Sequence, residues 1–446
     1  MGSVFKPKKA AGVLDACCAK KSGGIRKSPI DIESCSQRIP VALANPKVLL
    51  TKVIPIPPKK NKETMVINIK TIIVLAVPHS SVLSVSPIWL YFCTMVKIGD
   101  IELGEFPLLL APMEDVSDPP FRKLCKDHGA DVMYTEFISS EGLIRDAAKS
   151  VKKLDFYEYE RPLGIQIFGN EIDSMRQAAA ICEESNPDII DINYGCPVKN
   201  VACKGAGAGI LQDIPKMVKM TAEIVKAVNK PVTVKTRLGW DENSKYIVEV
   251  AERLQDVGIQ AISIHGRTRK QMYKGEADWS LIAETKNNPR LHIPVFGNGD
   301  VDSGPKALEY RNKYGVDGIM IGRASIGYPW IFDDIKHYFA HGTERAKPTV
   351  QERVAAAREH FELSLMWKEE RYAIMETRKH YTNYFRGLTH FKPYRSRLVT
   401  IENPAEVLST LNEIEQEYIS KYGNVQELGD LNNLQYGKTE EKQIIV

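Results

Sequence analysis

The stretch that decides the architecture is "DIIDINYGCPVKNVACKGAGAGIL", Asp188–Leu211. Asp188-Ile189-Ile190-Asp191-Ile192 has the apolar, β-branched character of a buried strand, and it runs through Asn193, Tyr194 and Gly195 to a turn at Cys196-Pro197. A second cysteine, Cys203, follows, and Gly205, Gly207 and Gly209 come after it. A strand that ends on a cysteine admits three readings: a packing residue, a metal ligand or a reacting thiol. A zinc pair from Cys196 and Cys203 finds no further ligands at suitable spacing nearby, and no metal is expected.

Outward from this strand the same pattern repeats. Short β-rich apolar runs lie at Pro107–Met113, Asp131–Phe137, Leu163–Gly169, Asp188–Cys196, Pro231–Leu238, Ala261–His265, Ile293–Gly297 and Gly318–Gly322. Amphipathic stretches such as Ile172–Ser185, Ile214–Val228 and Lys245–Val257 separate them. Eight βα units over about 230 residues predict an α/β fold of the closed (β/α)8 barrel type, a TIM barrel. An open doubly wound sheet would carry a glycine-rich turn after its first strand; Ala111-Pro112-Met113-Glu114 stands there instead. After Pro348 the strand signal stops, and Thr349–Leu365, Ala373–Phe385 and Pro404–Tyr422 read as helices. The expected organisation is a catalytic barrel at 95–345, a small helical domain at 346–422 and a polar tail at 423–446.

Residues 1–94 differ from all of this. They hold 14 Lys and Arg against 4 Asp and Glu, which leaves 46 against 52 in the rest, so the net +4 of the 446-residue chain hides a mildly acidic body. The segment has no lasting periodicity, and Met65–Phe92 is apolar but interrupted by Lys70, Pro78, His79 and Pro87, so no membrane span is expected. Two readings stand: a disordered extension, or sequence upstream of a native start at Met95. Eight cysteines without regular short spacing point to reduced thiols in a cytoplasmic protein.

A barrel places its chemistry at the C-terminal ends of its strands. Those ends carry Met113 and Glu114, Glu136, Gln166, Asn193 and Cys196, Lys235 and Arg237, His265 and Arg267, Asn298 and Asp300, and Gly322 and Arg323. One buried polar residue is an ordinary core feature, but a polar group at every strand end is hard to attribute to packing. Asn298-Gly299-Asp300 and Gly322-Arg323 follow the last two strands, where barrels often bind phosphate, which suggests a phosphorylated cofactor. Lys235 needs a partner for its charge in a barrel mouth, either the electron-rich edge of a flavin or a carbonyl substrate in a Schiff base.

Taken together, "LLLAPMEDVSDPPFR" (108–122), "IQIFGN" (165–170), "DINYGCPVKNV" (191–201), "VKTRLGW" (234–240), "IHGRTRKQMYKGEADW" (264–279), "VFGNGDV" (295–301) and "MIGRASIGYPWIF" (320–332) resemble the tRNA-dihydrouridine synthase family, most of all its bacterial B-type members. The resemblance runs from about Lys97 to about Tyr422. It implies an FMN-dependent oxidoreductase that reduces tRNA uridines to 5,6-dihydrouridine with NADPH as reductant. It implies that Cys196 gives the proton to uracil C5 while hydride goes to C6. It implies that Pro112, Met113 and Glu114 pass beside the flavin, that Gln166 and Lys235 contact its ring system, that His265 lies near the ring or the phosphate, that Asn193 positions the flavin or the uracil, and that Asn298, Gly299, Asp300, Gly322 and Arg323 hold the phosphate arm. The glycine-rich segment after Cys196 is expected to form a loop that moves to admit an extruded nucleotide.

An acidic body needs local basic patches to hold a polyanion. Arg267, Arg269 and Lys270 follow the sixth strand. Arg371–Arg397 has seven Lys and Arg and one acid, with five Tyr or Phe beyond Tyr372. Arg378, Lys379, Arg386, Lys392, Arg395 and Arg397 are the expected RNA contacts, and Tyr381, Tyr384 and Phe385 the expected core. Cys125 and Cys182 are also expected in the core. A monomer is the simplest assembly. Two rivals remain open: an FMN barrel reductase of a small pyrimidine or enone, and a non-catalytic RNA-binding protein.

Overall fold

The computed structural model describes residues 95–424 of the 446. The expectations for 1–94, and for the tail beyond Asn424, lie outside the described residues. A short antiparallel hairpin, Lys97–Ile98 with Ile101–Glu102, precedes the first barrel strand.

The eight strands are β1 (Leu108–Leu110), β2 (Met133–Tyr134), β3 (Leu163–Phe168), β4 (Ile189–Tyr194), β5 (Val232–Arg237), β6 (Ala261–His265), β7 (Val295–Asn298) and β8 (Gly318–Ile321). All pair in parallel and in chain order, and β8 returns to β1. The seam between β1 and β2 closes through Asp131 N–H to Leu108 O at 2.8 Å and Leu110 N–H to Val132 O at 2.9 Å. The Asp131 carboxylate adds an acceptor for Leu108 N–H at 2.8 Å. A further short strand, Ile138–Ser139, pairs with the end of β3, and the fold is therefore the expected (β/α)8 barrel.

Helices α1 (Pro119–Asp127), α2 (Ile172–Glu184), α3 (Ile214–Ala227), α4 (Ile247–Asp256), α5 (Ser280–Lys286), α6 (Gly304–Tyr314) and α7 (Ile331–His341) surround it, with two short helices, Ser140–Leu143 and Ala148–Lys152, between β2 and β3. Their starts follow from local chemistry. The Asp118 carboxylate accepts from Phe121 N–H and the Asp213 carboxylate from Lys216 N–H, so the first turns of α1 and α3 have a partner for an otherwise open donor. Outside the sheet, Trp279 lies where a Cβ on Gly297 would stand, 2.0 Å from its ring. Gly297 thus has to be glycine for α5 and its loop to close on β7.

Four helices follow: α8 (Val350–Trp367), α9 (Glu370–Tyr384), α10 (Lys392–Leu398) and α11 (Pro404–Tyr422). Thr349 and Glu352 form a reciprocal cap at the start of α8. Helix α10 was not anticipated, because its seven residues are too few for periodicity to show. The bundle has its own apolar core, in which Phe361, Tyr381, Tyr384, Leu398 and Leu411 are buried, and Leu124 of α1 and Trp330 join it. Cys125 and Cys182 are buried in the barrel core, as expected. No helix among the described residues is long and apolar enough to cross a membrane.

Candidate active site

Strand alternation builds the site. Tyr194 Oη bonds Thr221 Oγ1 of α3 at 3.0 Å, so the even residues of β4 face the helices. Asp191, Asn193 and Gly195 therefore face inward. The pairing register sets Gln166 beside Asp191 and Asp191 beside Thr233; one pleat higher it sets Asn193 beside Lys235 and Lys235 beside Ser263; above them Arg237 stands beside His265. The barrel interior is polar toward its mouth because these strands place polar residues at every second position.

A buried hydrogen-bonded chain runs up this interior. Thr233 Oγ1 donates to Asp191 Oδ1 at 2.5 Å, and Gln166 Nε2 donates to Asp191 Oδ2 at 2.5 Å. Asn193 Nδ2 donates to Gln166 Oε1 at 2.9 Å. Asn193 Oδ1 accepts the N–H groups of Gly195 (2.9 Å) and Cys196 (2.8 Å). The cysteine turn thus hangs from a side chain that is itself held from below. Burial raises the Asp191 carboxyl to about 6, with Thr233, Gln166 and Lys235 opposing. Arg237 Nε donates to Gly195 O at 2.7 Å and braces the same turn from β5.

The Cys196 thiol is 3% exposed. Burial pushes its pKa up, the Val198 N–H, Arg237 and Lys235 pull it down, and Glu114 pushes it up again, with a net rise. It therefore stays protonated at neutral pH, in the state of a proton donor. Lys235 is 9% exposed, and no hydrogen bond or ion pair reaches its Nζ among the described residues. Burial and then Arg237 bring its pKa down to about 8. A buried ammonium in this state is stabilised by an electron-rich group brought to it. His265 is kept neutral: burial, then Arg237, Lys235, Arg267 and Arg323, hold its pKa far below the ordinary histidine value. A guanidinium only donates, so Arg267 Nη1 at 3.3 Å makes His265 Nε2 the acceptor and leaves the proton on Nδ1.

Four cations thus converge near His265, and the acids among them are few. Asp300 accepts from Arg267 at 2.9 and 2.7 Å, from Arg323 at 3.0 Å and from Ala277 N–H at 2.7 Å. Asp300 (φ +58°) and Gly299 (φ +126°) turn the chain beyond β7. The N–H groups of Gly299, Asp300 and Arg323 make no hydrogen bond among the described residues. Unpartnered amides beside excess positive charge suit a phosphorylated ligand with an electron-rich edge. On the opposite rim Glu114, Asp115 and Glu136 bring carboxylate oxygens within 4.8 Å of one another. Lys153 Nζ already meets both Glu114 oxygens at 2.6 Å.

The structure brings Met113, Gln166, Asn193, Cys196, Lys235, His265, Asn298 and Arg323 to one end of the barrel, but changes several individual expectations. The Glu114 carboxylate is taken by Lys153, so only its backbone is free to meet a ligand. Gln166 is fully buried, accepting from Asn193 and donating to Asp191. The Asp300 carboxylate serves arginines, and its peptide is the part open to a phosphate. Asn298 Nδ2 donates to Met320 O at 2.8 Å. Arg267 is withdrawn from the RNA surface: it is 2% exposed and bound to Asp300, Gly275 O and Lys274 O. Lys379 is withdrawn as well, its Nζ donating to Asp115 O at 2.5 Å.

Arg378 donates to Ile401 O at 2.7 Å, Arg397 pairs with Glu413 at 2.7 Å and Lys270 with Asp241 at 2.7 Å. Arg269 stacks on Trp240 at 4.7 Å. Arg386, Lys392 and Arg395 keep solvent-facing charge. Phe391 and Tyr394 are buried along with Tyr381, Tyr384 and Phe385, which leaves Tyr372, 52% exposed, as the outward ring of that stretch. The glycine-rich segment is not an open loop. Gly207–Gln212 forms a short 3-10 turn, buried from Gly207 to Leu211, and Ala208 N–H donates to Cys196 O at 3.0 Å. A Cβ on Gly209 would sit 2.2 Å from Ala202 O, so glycine here serves close packing.

Sequence reasoning named no role for Asp191, Thr233 or Lys153. Asp191 and Thr233 stand two residues before Asn193 and Lys235, so strand alternation was the signal that puts them on the same face. Lys153 offered none, since it reaches the site from a connecting segment.

Comparison with known proteins agrees with this geometry. The family model described as "Dihydrouridine synthase (Dus)" matches residues 109–421. A probable tRNA-dihydrouridine synthase of Rickettsia conorii is 36% identical over 320 residues, 72% of this chain and 96% of that protein. The tRNA-dihydrouridine synthase B of Pseudomonas aeruginosa is 37% identical over 311 residues, 70% of this chain and 92% of that protein. That of Vibrio cholerae is 41% identical over 258 residues, 58% and 79% of the two. A match that spans the barrel and the helical bundle alike makes this chain a member of the dihydrouridine synthase family.

Proposed function

We propose that the chain reduces selected uridines of tRNA to 5,6-dihydrouridine. FMN, when bound and recharged by NADPH, would supply the hydride that goes to uracil C6. Family membership supports the reaction, and the observation that carries the mechanism is Cys196: a buried thiol, kept protonated by its surroundings, just beyond the end of β4 and beside β5, which carries Lys235. A uracil reduced at C6 must take a proton at C5, and the Cys196 sulfur is the acid available to give it. Arg237 and Asn193 hold the turn that aims it.

Lys235 would hold the electron-rich edge of the flavin, with His265 close by, and Pro112 and Met113 would line its face. The free amides of Gly299, Asp300 and Arg323, with Gly322 and the Arg323 guanidinium, would take its phosphate. Arg269, Lys270, Arg386, Lys392, Arg395 and Arg397 are the side chains we assign to tRNA phosphates. The target base leaves its stack to reach the barrel mouth, at a cost of a few kcal/mol that such contacts offset. The same reading carries a monomer working in the cytoplasm.

The test is to map dihydrouridine in tRNA from cells lacking this protein and to restore either the wild type or Cys196→Ala. Wild-type rescue with failure of the alanine variant supports the assignment; full rescue by alanine overturns the role of the thiol. A purified chain without flavin absorption, even after incubation with FMN, would sink the cofactor.

A further inference from the structure

Lys379 was expected on the RNA surface, and the structure turns it inward. It lies on α9, from which a lysine could extend to water. Its ammonium instead donates to Asp115 O at 2.5 Å. Asp115 belongs to the loop between β1 and α1, which carries Pro112, Met113 and Glu114 past the barrel mouth, and it has a left-handed φ of +56°.

Both sides of Asp115 are gripped. Its N–H donates to Glu136 Oε1 at 2.5 Å, from the end of β2, while its carbonyl accepts from Lys379 of the helical bundle. Three residues on, Asp118 caps α1 through Phe121 N–H and pairs with Lys368, which also meets Glu376 at 2.5 Å. Within the loop, Met113 N–H donates to Ser117 Oγ at 2.8 Å, and Met113 O accepts from Val116 and Ser117 N–H at 3.1 and 2.9 Å. The bundle therefore reaches this loop through two ammonium groups, one at the carbonyl of its left-handed residue and one at its helix cap.

We infer that Lys379, with Lys368 beside it, is a positioning residue that holds the first βα loop in its working shape and ties that loop to the docked bundle, without touching RNA. The inference rests on the proposed tRNA reduction for its purpose, though the clamp stands on geometry alone. A bundle that binds the substrate and also fixes the wall of the pocket makes loop order depend on how the bundle is seated. Lys379 acts through Asp115; the groups that meet ligand are those of residues 112–114.

The test uses the full chain and Lys379→Met, which keeps the stem and removes the donor. Amide hydrogen exchange over Met113–Ser117, read without tRNA or cofactor, is expected to rise by about tenfold or more. The Kd for unmodified tRNA is expected to stay within about twofold and its salt slope to stay unchanged, whereas loss of a phosphate contact lowers that slope by about one. Lys379→Arg, which keeps a donor, should restore protection. Should the methionine variant fail to fold, Lys379→Gln is read in its place. Unchanged exchange, or a tRNA affinity and salt slope that fall together, overturns the inference. Because exchange is measured on the protein alone, failure of the tRNA-reduction reading would leave this result standing.

Discussion

The Asn193→Ala substitution tests the part of the site that the structure, and not the sequence, explains. Asn193 makes three buried hydrogen bonds: it accepts from Gly195 and Cys196 N–H and donates to Gln166 Oε1. Alanine leaves two backbone donors and one amide oxygen unpaired where solvent scarcely reaches. A buried polar group without a partner costs about 1–3 kcal/mol, so three cost on the order of 3–9 kcal/mol. The vacated space is lined with polar atoms and can admit a water, which moves the expected loss to the lower end, about 3 kcal/mol. Asn193→Asp keeps both acceptor bonds but sets a buried carboxylate oxygen against Gln166 Oε1, so it should also lose stability and not restore the wild-type midpoint. The assay is urea denaturation, read as a shift of midpoint at constant m. A second readout is alkylation of Cys196, which should quicken in the alanine variant as the turn loosens. An alanine variant within about 0.5 kcal/mol of wild type, the range of neutral surface changes, would mean that the turn stands without its amide and would refute the reasoning.

Four further outcomes follow. Cys196→Ala should slow single-turnover uridine reduction by about 10²–10⁴-fold, the usual contribution of a positioned acid. In the wild type that step should be flat at low pH and fall only above the ordinary thiol range, because burial raises the pKa of a group that must be protonated to act. A fall beginning below pH 7 would point to a different acid. Burial lifts Glu136 from 4.5 to about 7, against the pull of Lys153. The folded state then holds a proton that the unfolded chain has lost, so stability should decline as pH rises from about 4.5 to 7, by up to about 3 kcal/mol. Glu136→Gln should flatten that decline, as monitored by denaturation midpoints across the range, and an unaltered slope would count against it. Charge reversal at Arg395 and Arg397 should weaken tRNA retention and reduce its salt slope while leaving flavin absorption intact; undiminished retention would move the RNA surface elsewhere.

Much of the architecture was legible in the chain. β6 and α11 match their expected bounds, and most other strands and helices differ by one to three residues at their ends, because short apolar runs between helical periods have one economical arrangement as eight units. The positions of Cys196, Lys235 and His265 at strand ends were legible for the same reason: in a barrel, strand polarity fixes which end is the mouth. The burial of Arg267 and the inward turn of Lys379 were not legible. Both sit in strongly basic stretches that read as a surface for phosphate, and only the approach of Asp300 and of the Asp115 carbonyl gives those cations closer partners. The glycines after Cys196 misled in the same way. Composition suggested mobility, whereas Gly207 and Gly209 stand where a Cβ would meet Cys196 and Ala202.

The sequence by itself determined which residues alternate inward, and therefore which side chains can meet at the barrel mouth, since a strand's period of two is a local property. Tertiary structure alone decided how those groups are held and charged. The chain from Thr233 through Asp191 and Gln166 to Asn193 joins three strands, and the grip on Asp115 joins the barrel to a helix 264 residues away in sequence. Hydrogen bonds and buried charges answer to distance in space, and that distance is set only once the barrel has closed and the bundle has docked against it.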